Sequence, residues 1–145
     1  MIASVSGILQ HIDAHSIVVR VGGVGLDIAV PTTVLNKLGP IGQPVELATY
    51  LVVRDDSLTL YGFASEEEKA VFELLLGVPG IGPRLALAVL NVLSPGALAD
   101  AVQRDEPEII ARVPGLGKKT AQKIVLELKG KLVPEGVPAG LAAVS

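Results

Sequence analysis

The chain has 145 residues, of which half are hydrophobic, so it can fill the core of one domain or of two small ones. It contains no cysteine, which excludes disulfides and cysteine-ligated metal sites, and no apolar run approaches the roughly 18 residues that span a bilayer. A formal net charge of -3 excludes a protein that coats nucleic acid through bulk positive charge. No secretory signal precedes the first apolar run, so we expect a cytoplasmic protein without a membrane partner.

The first 63 residues alternate between apolar and polar positions, which is the period of half-buried β-strands. Five strands are predicted, at residues 2–9, 16–21, 26–30, 45–53 and 58–63. The glycine-rich stretch 22–25 makes a tight connection, and residues 31–38 are predicted to form one short helix. Five strands with a helix between the third and the fourth predict a closed Greek-key barrel of the OB type over residues 1–63.

From residue 64 the apolar period becomes helical. Ser65 and Glu68 have the spacing of a capping box that starts a helix over residues 66–76, and Pro83 is placed to start the next helix. Three later helices are predicted to start at Ser94, at Asp105 with Glu108 completing its cap, and at Lys118, the last one ending at Leu132. The sequence therefore predicts an α+β protein with an all-α domain over residues 64–133. Residues 134–145 lack any period and are expected to be a flexible linker.

One nine-residue pattern occurs twice, as V-P-G-I-G-P-R-L-A at 78–86 and as V-P-G-L-G-K-K-T-A at 113–121. In each copy a Gly-apolar-Gly turn leads into a helix, whose N-terminal N–H groups carry partial positive charge and suit a phosphate. Such a turn can be only a connection between helices. Turn formation, however, does not require the cations that follow, which are Arg84 in the first copy and Lys118 and Lys119 in the second. The duplication therefore predicts two helix-hairpin-helix motifs that bind the DNA backbone.

The segment Arg54-Asp55-Asp56-Ser57 lies between the last two predicted strands. Its simplest interpretation is a polar turn, since aspartate favours turns. On a DNA-binding protein the adjacent carboxylates would also repel phosphate and exclude DNA strands from one position. A pair of acids that holds Mg²⁺ is a third interpretation, but further acidic ligands are lacking nearby in the sequence.

Two other segments resemble binding sites only superficially. The glycines at 22–25 are not followed by the Lys-Ser or Lys-Thr of a phosphate-binding P-loop, so we expect no ATP hydrolysis. His11, Asp13 and His15 would share one face of an extended strand and could bind a metal, but a polar hairpin tip is the simpler interpretation. The sequence therefore predicts neither a metal site nor a cofactor.

These features together resemble the RuvA family of Holliday-junction branch-migration proteins. The resemblance covers residues 1–133, and the barrel, the acidic hairpin and the duplicated helical hairpins occur in the family's order. The matching segments are V-G-G-V-G at 21–25, V-V-R-D-D at 52–56, L-Y-G-F at 60–63, G-I-G-P-R-L-A-L-A at 80–88 and P-G-L-G-K-K-T-A at 114–121.

The resemblance implies roles for single residues. In the family the helical hairpins hold the junction arms through the minor-groove backbone, and an acidic pin faces the crossover. By position the pin is Asp55 and Asp56, and it is shorter than the Glu-Asp that the family commonly carries. The implied phosphate-binding residues are Gly80, Gly82, Arg84, Gly115, Gly117, Lys118, Lys119 and Lys123.

The resemblance also implies partners. Four subunits of the family form a square platform on a four-way junction, which implies a homotetramer, with one tetramer or two on each junction. The implied protein is a non-catalytic subunit in the bacterial nucleoid, acting in recombination and DNA repair within the SOS response with the hexameric RuvB ATPase and the RuvC resolvase. Family members carry a third domain that docks RuvB after a linker. This chain ends within a segment that resembles the linker, so we expect junction binding without coupling to the motor.

Two other functions fit parts of the sequence. The second copy of the repeat also resembles the hairpin of helix-hairpin-helix DNA glycosylases and lyases, in which a lysine at the position of Lys119 serves as nucleophile. Those enzymes need a downstream catalytic aspartate, and no aspartate follows Asp105. A general single-strand binder built on the barrel would stack bases on aromatic side chains. The chain offers only four aromatic residues for such stacking, which are Tyr50, Tyr61, Phe63 and Phe72.

Overall fold

The computed structural model of the chain describes residues 1–132. They fall into two compact units, which divide after Lys69, within a helix that spans Glu66–Leu76. Val133 and the linker expected at 134–145 lie outside the described residues.

The first unit is a closed five-stranded barrel, as the sequence predicts. Its strands are β1 (Ser4–Ile12), β2 (Ser16–Val21), β3 (Val24–Ala29), β4 (Pro44–Arg54) and β5 (Ser57–Phe63), and helix α1 (Thr32–Lys37) lies between β3 and β4 in sequence. The strands pair in the order β1-β2-β3-β5-β4, and β1 pairs with β4 to close the barrel. The pairs are antiparallel except for β3 with β5, which is parallel, as in the OB fold.

The barrel core follows the alternation in the sequence, since every second residue of a strand points inward. Its fully buried side chains include Leu9, Ile17, Val19 and Ile28. Strand β1 continues to Ile12, beyond the predicted end at residue 9, because its register with β2 shifts between Leu9 and His11. The shift places one extra residue in β1, which lets the strand continue through a change of face.

The second unit contains the C-terminal part of α2 (Glu66–Leu76) and four further helices. These are α3 (Pro83–Val92), α4 (Pro95–Gln103), α5 (Pro107–Ile110) and α6 (Lys118–Leu128). Helix α2 begins where predicted, and the Ser65 hydroxyl accepts the Glu68 N–H at 3.2 Å. The Glu68 Oε2 accepts a hydrogen bond from the Thr33 hydroxyl at 2.8 Å, so this buried carboxylate connects α2 to α1.

Two helix boundaries differ from the prediction by more than one residue. Helix α5 starts at Pro107 with Glu106 at its N-cap position, so Asp105 with Glu108 does not cap it. Asp105 instead has a left-handed backbone, with φ of 56°, which aspartate tolerates better than most residues. The fixed φ of proline suits the first helical position, and this determines where α5 begins.

Helix α6 ends at Leu128, four residues before the predicted end at Leu132. Gly130 has a φ of 86°, which ends the helical backbone. The Lys131 N–H donates a hydrogen bond to the Leu128 carbonyl. Leu132 is buried, and its carbonyl accepts the Gln103 Nε2 at 2.9 Å. Lys129 therefore follows the helix as its C-cap, and Lys131 lies beyond it.

Within residues 1–132 no single helix is both long and apolar enough to cross a membrane, and only α3 joined to α4 meets those limits as a pair, with a bend of 94°.

Candidate nucleic-acid interface

The helical unit contains the same hairpin twice, once between α2 and α3 and once between α5 and α6. The first glycine of each turn has a left-handed backbone, with φ of 89° at Gly80 and 84° at Gly115. The apolar residue that follows is buried in both copies, and its N–H donates to the valine carbonyl three residues earlier at 3.1 Å. Two sequences 35 residues apart therefore form one backbone geometry, which depends on glycine at the left-handed position.

The second glycine of each turn is the N-cap of the following helix. Gly82 and Gly117 both have extended backbones and are exposed. A glycine has no side chain that could accept the first N–H groups of the helix, and no side-chain cap hydrogen bond forms at either N-cap. Each helix therefore presents uncapped N–H groups at its positive end, which is the arrangement that binds an anion.

Cationic side chains surround both helix N-termini. Arg84 is the second residue of α3, and Lys118 and Lys119 are the first two of α6. Lys123 lies four residues after Lys119 and therefore on the same face of α6. All four side chains are exposed, and the only ion pair among the described residues joins His11 and Asp13. Within residues 1–132 the four cations therefore form no ion pair, and their exposed side chains are accessible to phosphate.

The acidic pair lies in the barrel unit, at the tip of the hairpin between β4 and β5. Arg54 pairs with Ser57 across the strands, so Asp55 and Asp56 form a two-residue turn. Both are exposed, and neither forms an ion pair with the neighbouring Arg54. The two carboxylates are therefore exposed to solvent at the end of a two-stranded hairpin.

The structure thus groups the predicted residues into two sets. The phosphate-binding candidates all lie in the helical unit, and the acidic pair lies in the barrel unit. The two turns of the helical unit lie near each other. A methyl group placed on Gly115 in the second turn would lie 3.9 Å from the Cδ1 atom of Leu85, near the start of α3. The second turn therefore lies beside the first turn of α3.

The structure also locates the residues that the sequence suggested for metal binding and for base stacking. His11 Nε2 lies 3.2 Å from Asp13 Oδ1 at the exposed end of β1. Within the described part of the chain, no three His, Cys, Asp or Glu side chains are arranged to hold a metal ion. Tyr61, Phe63 and Phe72 are buried in the core, so these three rings offer no stacking surface for bases.

Two further polar residues beside the second hairpin are not singled out by the sequence motif. Arg112 is exposed immediately before the turn, and Thr120 is half-buried as the third residue of α6. The corresponding residues of the first copy are Gly77 and Leu85. Aligning the two copies position by position identifies Arg112 and Thr120, because each is a polar residue where the first copy has a glycine or a leucine.

Comparison with known proteins gives two family models and close relatives. The model described as RuvA N terminal domain matches residues 1–62, and the SAM-like helix-hairpin-helix tandem matches residues 72–131. A protein of Herpetosiphon aurantiacus named Holliday junction branch migration complex subunit RuvA is 53% identical over 90% of this chain and 66% of its own length. Proteins of the same name from Acidothermus cellulolyticus and Streptomyces coelicolor are 49% and 50% identical over 100% of this chain and 72% of their own lengths. The chain therefore spans about two thirds of the length of these relatives.

Proposed function

The chain belongs to the RuvA family, and we propose that it binds four-way (Holliday) DNA junctions as a non-catalytic subunit of a branch-migration complex. The observation that carries the proposal is the duplicated hairpin. Gly82 and Gly117 present uncapped helix N-termini in the same geometry, each with exposed cations next to it. Both sites would bind phosphate groups, so they would position the protein on DNA without recognising its base sequence.

The duplication gives each subunit two backbone-binding sites that lie close together, as the approach of Leu85 to Gly115 indicates. Two neighbouring sites can hold both strands of one duplex arm. A junction has four arms, and a homotetramer supplies one helical unit to each arm with matching symmetry. One tetramer would cover one face of the junction, and a second would enclose it.

The turn of Asp55 and Asp56 complements the hairpins by repulsion. Two exposed carboxylates at adjacent positions oppose close approach of phosphate, since like charges repel most strongly at short range. Four such turns near the crossover would keep the strands apart and the junction open. The acidic turn would thereby favour a junction over a continuous duplex.

The relatives are named as subunits of a branch migration complex, which supports the proposal that this chain acts with a partner that moves the junction. In our proposal this chain supplies junction recognition in the bacterial cytoplasm, on DNA of the nucleoid. The hexameric RuvB ATPase supplies the movement, and the RuvC resolvase acts on the same junction.

Neutralising the acidic turn tests its proposed role. We expect D55N/D56N to bind a four-way junction as tightly as the unchanged protein or more tightly, and to bind duplex more tightly as well, so that selectivity for the junction falls. The measurement is the ratio of the two dissociation constants by fluorescence anisotropy at fixed salt. The reason is that asparagine keeps the side-chain size while removing the charge that repels phosphate.

The variant D27N/E46Q is the matched control, because it removes two exposed carboxylates from β3 and β4 away from the turn. It should leave the ratio unchanged. Loss of all DNA binding in D55N/D56N would contradict the role, and would show that these carboxylates support the fold.

A further inference from the structure

The two hairpins share a backbone but differ at the first residue of the helix. In the first hairpin this residue is Pro83, which is buried and has no N–H group to donate. In the second it is Lys118, which is exposed and provides both an N–H group and a cation. The second helix N-terminus therefore has one more donor and one more charge than the first.

The third helical residue differs in the same direction. Leu85 is half-buried, and its Cδ1 lies 3.9 Å from the position that a Gly115 methyl group would take, so it serves packing. Thr120 occupies the equivalent position in α6, and its hydroxyl forms no hydrogen bond within residues 1–132. That hydroxyl is free to donate to an anion at the N-terminus of α6.

The surrounding charge differs as well. Lys123 on α6 corresponds to Ala88 on α3, so the face next to the second turn carries a cation that the first lacks. Within the helical unit, the helices of the first hairpin carry Arg84 against Glu73, since residues 66–69 of α2 belong to the barrel unit. Residues 107–128 of the second carry Arg112, Lys118, Lys119 and Lys123 against Glu108 and Glu127. Within the helical unit the first hairpin therefore has no net charge, and the second is net positive.

We infer that the two hairpins bind DNA unequally, with the second as the primary phosphate anchor and the first as a weaker site that orients the arm. Lys118 and Thr120 are the residues that make the second site stronger, because they add donors that the shared backbone does not provide. The inference rests on the proposed function, since it assumes that both turns bind the DNA backbone.

Equal changes at equivalent positions test the inequality. Gly82→Asp and Gly117→Asp each place a carboxylate at a helix N-cap, where it accepts the free N–H groups and repels phosphate. Both positions are exposed and have extended backbones, so neither change requires a left-handed residue, and a Cβ on Gly117 has nothing within 4 Å. We expect Gly117→Asp to weaken junction binding by on the order of 30-fold and Gly82→Asp by roughly threefold, since hydrogen bonds to charged groups are the stronger ones.

The corresponding asparagine variants, Gly82→Asn and Gly117→Asn, are matched controls that cap the helix without added charge. Thermal melting of all four variants establishes that the fold is kept. Equal losses of affinity for the two aspartate variants, or a larger loss for Gly82→Asp, would overturn the inference. Each variant is compared on junction and on duplex. A larger loss for Gly117→Asp than for Gly82→Asp therefore supports the inference even if the unchanged protein shows no junction preference, a result that would refute the proposed function alone.

A second comparison tests the extra donor at the start of α6. Lys118→Gln removes the charge, and Lys118→Pro removes the charge and the N–H group while keeping a residue suited to the first helical position. We expect Lys118→Pro to bind junctions about threefold more weakly than Lys118→Gln, because it removes one further donor. Equal binding by the two variants would show that the N–H group of Lys118 does not contact phosphate.

Discussion

Replacing Lys118 and Lys119 together by glutamine is expected to weaken binding to four-way junctions by on the order of a hundredfold at physiological salt. Both cations are exposed at the uncapped N-terminus of α6, where phosphate binds in our account. The slope of log affinity against log salt should flatten by about 0.9 for each phosphate that the variant no longer neutralises. The weakening should be the same for junctions of unrelated sequence, because phosphate carries no sequence information.

The chain provides a matched control for this variant. Lys129 and Lys131 are exposed in the same unit but lie after the end of α6, away from the N-terminus that binds phosphate. We expect K129Q/K131Q to change junction affinity by less than about threefold. A decrease in affinity as large as that of the first pair would indicate attraction by general positive charge. A decrease that depends on junction sequence would contradict backbone recognition.

Replacing Gly7 by alanine is expected to destabilise the barrel by about 1–3 kcal/mol. A Cβ atom on Gly7 would lie 2.4 Å from the carbonyl oxygen of Arg20 and 2.9 Å from a methyl carbon of Val19. The first obstacle is backbone, so β1 and β2 would have to move apart to admit the methyl group. Urea denaturation followed by circular dichroism measures the effect.

Gly23→Ala is the control for Gly7→Ala, because both changes add one methyl group to a glycine of the barrel unit. The turn between β2 and β3 leaves the space around Gly23 open within 4 Å, and its φ lies outside the left-handed region. Its unfolding free energy should stay within about 0.5 kcal/mol of the unchanged protein. Gly7→Ala with unchanged stability would contradict the close approach of β1 and β2.

Local signals in the sequence predict most of the barrel. Strands β2 to β5 lie within two residues of their predicted bounds, because each has one buried face and so shows a period of two. The end of β1 could not be predicted in this way. It depends on the change of register between Leu9 and His11, and register is a property of two strands together.

The errors at the helix boundaries have local causes. The spacing of Asp105 and Glu108 suggests a cap, but Asp105 takes a left-handed backbone and Pro107 determines the start of α5. The early end of α6 is marked in the sequence by Gly130, whose preference for a left-handed backbone outweighs the apolar period that continues to Leu132. The bond from Thr33 to Glu68 joins residues 35 positions apart and has no signal in the sequence.

The local geometry of the two glycine turns is more predictable from the sequence than the helix boundaries are. Each turn is local, since a left-handed glycine, an N-cap glycine and the next cations all lie within a few residues. Aligning the two copies shows where their residues differ, but the surroundings of those residues required the structure. Only the three-dimensional arrangement shows that Leu85 packs beside Gly115 while the Thr120 hydroxyl has no partner in the described part of the chain.

The central claim is that this chain recognises the four-way junction by its shape. The most direct test is a competition gel shift at fixed salt, in which a labelled junction competes with unlabelled duplex and single strands of the same sequences. The account predicts that neither competitor displaces the junction at concentrations at which unlabelled junction does so completely. Equal displacement by duplex, by single strands or by both would contradict it, and would reduce the protein to a general backbone-binding module.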